Sequence, residues 1–200
     1  MKNFVIASTA ILMLFPGFAL AEDNTETFTG ARIGVDVSRV RTSLRGDPGN
    51  IGATEKNAWN GVGYRGFVGY DLQLANMFVV GAEAGIGGGG RAVTQTGPAG
   101  RYTVDPGLTY DISARAGIVA APGLLLYGRV GYRWLRTDQK TALANAGTNS
   151  NRRTEGSVTY GAGAEVLVSP SFSVRAEYNR TPYSGNLKAN ALSIGGAFRF

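Results

Sequence analysis

From Phe28 to Phe200 the chain alternates in polarity with a period of two, and its charges gather on one of the two faces. A period of two is the side-chain period of a β-strand. Eight segments carry it: 28–40, 61–74, 77–87, 108–120, 124–137, 157–168, 172–182 and 188–200. In seven of them the even-numbered residues form the apolar face, as Val62, Tyr64, Val68, Tyr70 and Leu72 do in the second. In the first, the odd residues Ala31, Ile33, Val35 and Val37 take that role. The other face holds Arg32, Asp36, Arg65, Asp71, Glu83, Asp111, Arg115, Arg129, Arg133, Glu165, Arg175, Glu177 and Arg199, seven cations against six anions.

The connections alternate as well. Ala75-Asn76, Ala121-Pro122-Gly123 and Ser169-Pro170-Ser171 are tight turns. The polar stretches 41–60, 88–107 and 138–156 are long and are expected to be loops, and the connection around Tyr183-Ser184-Gly185-Asn186 is short. Short turns at one end and long loops at the other are the pattern of an eight-stranded, antiparallel, up-and-down transmembrane β-barrel, with the turns periplasmic. An even strand count then brings both termini to the periplasmic side.

Alternation alone cannot say which face is inside. The N-terminus and the membrane supply the sign. Residues 1–21 have the form of a secretory signal peptide: Lys2, an apolar run from Phe4 to Leu14, Pro16-Gly17, and Ala19-Leu20-Ala21 as a small-x-small cleavage site. Cleavage after Ala21 starts the mature chain at Glu22, leaves 22–27 as a short periplasmic segment and makes 28–200 the barrel. No later segment has 18 consecutive apolar residues, so no transmembrane helix is expected. An Arg or Lys facing lipid at the midplane costs about 2–4 kcal/mol. Seven such arginines would offset a whole domain's stability of about 5–15 kcal/mol. The charges therefore go inside. An eight-stranded bore is just wide enough to be filled by side chains, which excludes a wide channel of the porin kind, with its roughly 16–18 strands. The near-balance of charge points to a closed ion-pair network. The alternative is a narrow, water-filled, low-conductance pore.

The aromatic residues divide into two bands, as interfacial girdles do. Tyr64, Tyr110, Tyr132, Trp134, Tyr160 and Tyr178 fall on the outward face toward the extracellular end, and Tyr70, Phe78, Phe172, Phe198 and Phe200 toward the periplasmic end. Phe67 and Tyr127 have inward parity and are expected to act as packing. Glycine is frequent, 30 of 200 residues, and Gly63, Gly69, Gly81, Gly85, Gly117, Gly131, Gly161, Gly163 and Gly195 share the inner face, where missing side chains make room for arginine. Gly87-Gly88-Gly89-Gly90 is not a phosphate loop, because no Gly-Lys-Ser/Thr follows it.

Composition narrows the function. Cysteine and histidine are both absent, which removes disulfide scaffolds, thiol catalysis, every Ser-His nucleophile pair and the commonest metal ligand. No catalytic residue, cofactor or metal is expected. Inward carboxylates such as Asp71 and Glu83 could do acid–base work, but they read more economically as salt-bridge partners. The formal charge of +6 is not clustered, so no nucleic-acid partner is suggested. A soluble lipocalin-type carrier, also eight-stranded, would leave the two aromatic bands without a role.

At this point the residues resemble a known family. The signal peptide, the eight alternating segments and the terminal Ala197-Phe198-Arg199-Phe200 are similar to the small outer-membrane barrels of Gram-negative bacteria, the opacity-protein and outer-membrane-protein-A-like membrane domains. The resemblance covers about 28–200 and rests on pattern more than on a motif. It implies a cell outer-membrane location and a monomer, with Phe200 as the signal read by the barrel-insertion machinery. The peptidoglycan-binding domain of some relatives has no counterpart here, so no cell-wall tether is expected. The expected function is envelope integrity, surface contact through 41–60, 88–107 and 138–156, or both. Partners would be outer-membrane lipid and lipopolysaccharide; Arg41, Arg136, Arg152 and Arg153 could meet its phosphates, although ordinary solvated charge is the more economical reading of these four; host or surface ligands of the loops are a further expectation.

Overall fold

The computed structural model describes residues 28–44, 57–75, 77–90, 92–143, 147–183 and 187–200. The expected signal segment 1–21, the stretch 22–27, Arg45, Asp47, Glu55, Lys56, Asn76, Arg91 and residues 184–186 lie outside the described residues. Nearly everything described is strand: β1 (Gly30–Leu44), β2 (Asn57–Leu74), β3 (Phe78–Gly89), β4 (Val93–Gly97), β5 (Gly100–Ala121), β6 (Leu124–Leu143), β7 (Gly147–Ser169), β8 (Phe172–Pro182) and β9 (Leu187–Arg199). All pairings are antiparallel. Eight strands close on themselves: β3 pairs with β5 and β1 with β9, so that part of the sheet has no edge. Closure matters because an open edge would leave backbone N–H and C=O groups unpaired in lipid.

The two faces differ in what they present. Ile194 and Ile33 are 66% and 51% exposed on the outside, while their neighbours Ser193 and Arg32 are 7% and 2% exposed. The outside is a belt of Val, Ile, Leu and aromatic side chains, and the inside is mainly charge and hydroxyl. At the end with the tight turns, Phe28, Val79, Leu125 and Tyr127 form a small apolar cap inside the barrel. Gly123 completes one of those turns at φ 71°, a left-handed value that glycine takes without steric cost.

The strands outrun the expected segments. The stretches 88–107 and 138–156, expected as loops, are largely strand. β4 forms a hairpin with the start of β5, pairing Val93 with Val104 and Gly97 with Gly100. β6 and β7 stay paired as far as Leu143 and Gly147. Of 41–60, the described ends 41–44 and 57–60 also belong to strands. The barrel wall thus continues on one side as a four-stranded sheet, β4-β5-β6-β7, beyond the last β7–β8 pair at Tyr160 and Arg180. Where β5 leaves the closed wall its register with β6 slips between Pro106 and Thr109. Proline has no N–H for a ladder and is at home at such a bulge.

Candidate functional site

Alternation places every second side chain of eight strands in one narrow bore, and the charged ones meet there. Asp71 on β2 accepts Nε and Nη2 of Arg115 at 2.9 and 2.6 Å, and also lies 3.0 Å from Arg32 Nε and 3.2 Å from Arg199 Nη2. Glu83 on β3 is approached by four guanidinium groups: Arg65 and Arg175 at 2.7 Å, Arg32 at 2.8 Å and Arg129 at 3.4 Å. Asp111 takes a two-pronged bond from Arg65 at 2.9 and 2.8 Å, one from Arg129 at 2.7 Å and a longer one from Arg133 at 3.4 Å. Asp36 joins Arg175 at 2.8 Å to Arg65 at 3.2 Å. Glu165 joins Arg199 at 2.9 Å to Arg115. Glu177 accepts Arg129 at 2.7 Å. These contacts link all thirteen of the inward charges picked out above into one connected set, with each charge within 3.4 Å of an opposite one.

Neutral groups complete the bonding. Ser113 Oγ accepts from Arg129 Nε at 2.9 Å, Ser173 Oγ donates to Glu165 at 2.8 Å, and the Tyr127 hydroxyl donates to Glu177 at 2.8 Å. The Asn179 amide donates to Glu177, and Arg199 donates to the Phe28 carbonyl. Parity could have singled out Ser113, Ser173 and Asn179, since each stands two residues from an inward charge. Arg32 differs from the rest: it sits at ion-pair distance, but its N–H groups make no aligned hydrogen bond. It is held by charge rather than by directed bonds.

Phe67 has a larger part than filling. Its ring lies 3.6 Å from the Arg175 guanidinium carbon and 5.4 Å from those of Arg32 and Arg65. The face of an aromatic ring attracts cations, so Phe67 separates three like charges while offering each a favourable surface. Tyr127 does the same for Arg115 at 4.9 Å. Absent side chains open the space. A Cβ at Gly85 would strike the Arg65 guanidinium, and one at Gly195 the Asp36 carboxylate.

Above the network, at the end away from the tight turns, the bore opens into a cavity of about 100 Å³ lined by Arg133, Asn179, Thr181 and Tyr183 among others. Burial pushes the Tyr183 hydroxyl up to about 12. Among the described residues no group of three acidic, histidine or cysteine side chains is arranged to hold a metal ion.

The eleven aromatic residues assigned to the two bands lie on the outer face. Tyr64 is about two-thirds exposed, Tyr70, Phe78, Tyr160, Tyr178 and Phe198 about half, and Tyr132 and Phe172 somewhat less. Tyr110 stacks on Trp134 at 5.9 Å, and Tyr132 meets Trp134 edge-on at 4.9 Å. Phe200 is 75% exposed, packs edge-on against Phe198 at 5.1 Å and donates its N–H to Ala31 at 2.9 Å. Arg41 and Arg136 are exposed on the same outer face, Arg136 above the Tyr110 ring.

Comparison with known proteins gives the same architecture. The crystal structure of Ail, the attachment invasion locus protein of Yersinia pestis, solved with the heparin analogue sucrose octasulfate, superposes with a TM-score of 0.58 at 18% identity, over 86% of this chain and 99% of that one. Neisserial surface protein A superposes with a TM-score of 0.54 at 14% identity, over 86% of this chain and 98% of the other. At these identities the likeness is one of fold. No curated protein sequence matches the chain. The profile of the outer membrane protein beta-barrel domain matches residues 8–200. With a closed wall of eight strands, apolar outside and charged within, the chain belongs to the outer membrane protein beta-barrel domain family and resides in the Gram-negative outer membrane.

Proposed function

We propose that this barrel is a non-enzymatic, non-conducting envelope protein: a rigid wall whose bore is sealed by its own ion pairs, with the tight turns in the periplasm and the strand extensions outside the cell. The observation that carries this reading is the completeness of the pairing around Glu83, Asp111 and Asp71, which take contacts from four, three and three guanidinium groups. Removing one partner of a buried pair costs about 3–5 kcal/mol, so the network resists opening to ions. The carboxylates an enzyme would use are engaged as acceptors. The test is planar-bilayer conductance of the folded protein. No discrete channel steps are expected; a steady ohmic conductance from single insertions would contradict the sealed bore and favour a narrow pore.

A second reading, contact with surface polyanions, is favoured by the four-stranded extension β4-β5-β6-β7 and by the cations Arg101, Lys140, Arg152 and Arg153 in its sequence. Ail, which has the same fold, is seen with a heparin analogue. Binding of cells bearing this chain to sulfated-glycan beads, and its loss when the β6–β7 hairpin is shortened, would support that role. Equal binding by the shortened chain would remove it.

The export signal 1–21, cleaved after Ala21, and recognition of Phe200 by the insertion machinery belong to the same proposal. Mass analysis of the outer-membrane form is expected to give Glu22 as its first residue.

A further inference from the structure

Among the described residues the inner cations are all paired, whereas the outer cations Arg39, Arg41, Arg180 and Lys188 are not, and these four lie close together. Register brings Arg180 on β8 opposite Asn190 on β9, Asn190 opposite Arg41 on β1, and Arg41 opposite Asn60 on β2. These four lie side by side in one row on the outward face. Arg39 stands one outward step nearer the midplane, and Lys188 one step beyond the row. Strands are spaced by about 4.8 Å and alternate residues by about 6.8 Å, so the heads of these long side chains can converge on one group. Among the described residues, Arg39, Arg41, Arg180 and Lys188 make no ion pair, and no outward position of β1, β2, β8 or β9 near them is acidic. The Tyr178 hydroxyl donates to Asn190 Oδ1 at 3.2 Å, which engages the amide oxygen and leaves the Asn190 NH₂ as a further donor.

What lies beneath the row defines the occupant. Val37, Val62, Leu192 and Ile194 are 58–69% exposed and line a shallow outer depression with Arg39 and Asn60 at its rim. An apolar belt under a donor row suits a molecule with acyl chains below and anionic groups above. We propose that this face of β8-β9-β1-β2 binds a phosphorylated glycolipid of the outer leaflet, lipopolysaccharide, through its phosphates. Guanidinium groups match phosphate geometry and each can bond it with two N–H groups. The assignment rests on the reading that the tight turns face the periplasm, which sets this row at the headgroup level of the outer leaflet.

The test uses the full mature chain in phosphatidylcholine nanodiscs doped with fluorescent lipopolysaccharide, intact or dephosphorylated. Retention by the native chain is compared with that of a variant carrying Arg39→Ser, Arg41→Ser, Arg180→Ser and Lys188→Ser. The dephosphorylated lipid is the charge control. The expected result is retention at least about tenfold weaker for the four-site variant and for dephosphorylated lipid. Unweakened retention by a four-site variant that still shifts on a heat-modifiability gel would overturn the proposal, as would equal retention of dephosphorylated lipid by the native chain. Sucrose octasulfate binding the native chain as tightly in discs free of lipopolysaccharide would assign the row to a soluble polyanion instead. If the variant does not fold, the native chain with dephosphorylated lipid decides. An epitope tag inserted at 184–186 and probed on intact cells reports orientation separately: a hidden tag would remove the orientation reading, whatever the discs show.

Discussion

At the scale of single residues the barrel is a problem in placing charge where there is almost no water. Glu83 sits among four guanidinium groups and Phe67 among three, so a change at either reaches most of the network. Glu83→Gln removes one buried charge and leaves its partners uncompensated; a loss of about 3–5 kcal/mol is expected, read as a lower midpoint for the heat-induced gel shift. Gly195→Ala puts a methyl group on the Asp36 carboxylate and the Val35 carbonyl, and overpacking of that kind costs about 1–3 kcal/mol. An unchanged midpoint in either variant would mean that the interior is looser than the distances imply. Tyr183 gives a pH handle outside the membrane span. Its hydroxyl is raised because burial disfavours the phenolate, so the stabilisation from its neutral form is complete below about pH 10 and lost as pH rises through about 12. Tyrosinate absorbance lost by Tyr183→Phe is expected to titrate near 12; titration near 10 would mean an exposed ring. Parity sorts neighbours such as Arg129 and Val130 to opposite faces without any structure. It does not say that Asp36 meets Arg175, 139 residues away, or that Phe67 is ringed by cations, because those pairings depend on how the sheet closes.

At the scale of elements, the strands were legible where one face is oily and illegible where neither is. β8 runs from Phe172 to Pro182, the bounds its alternation predicts. β5, β6 and β7 run 8, 6 and 10 residues past theirs, through Thr, Asn, Arg and Gly that show no alternation. Outside the bilayer both faces of a sheet meet water, so pairing leaves no hydrophobic period to read. The extension and the barrel wall should then be separable. Joining β6 to β7 at the Gln139–Asn151 pair, with a two-residue Asn-Gly turn in place of 140–150, is expected to leave the heat-modified midpoint within about 2 °C of the native one. A collapse of the folded band would show that the extension helps to hold the wall.

At the scale of the whole molecule, a closed sheet, an apolar exterior and a paired interior are one solution to one constraint. Backbone groups need partners that lipid cannot supply, and charge that must be carried is put where other charge can meet it. The chain has no cysteine, so single nitroxide labels report without background. The most direct test of this arrangement is the accessibility of such labels along β9, from position 191 to 198, to oxygen dissolved in the bilayer. The account predicts a period of two, with high collision rates at 192, 194, 196 and 198 and low rates at 191, 193 and 197, position 195 being left as glycine because even a Cβ there meets the Asp36 carboxylate. High rates at the odd positions, or rates with no alternation, would contradict it.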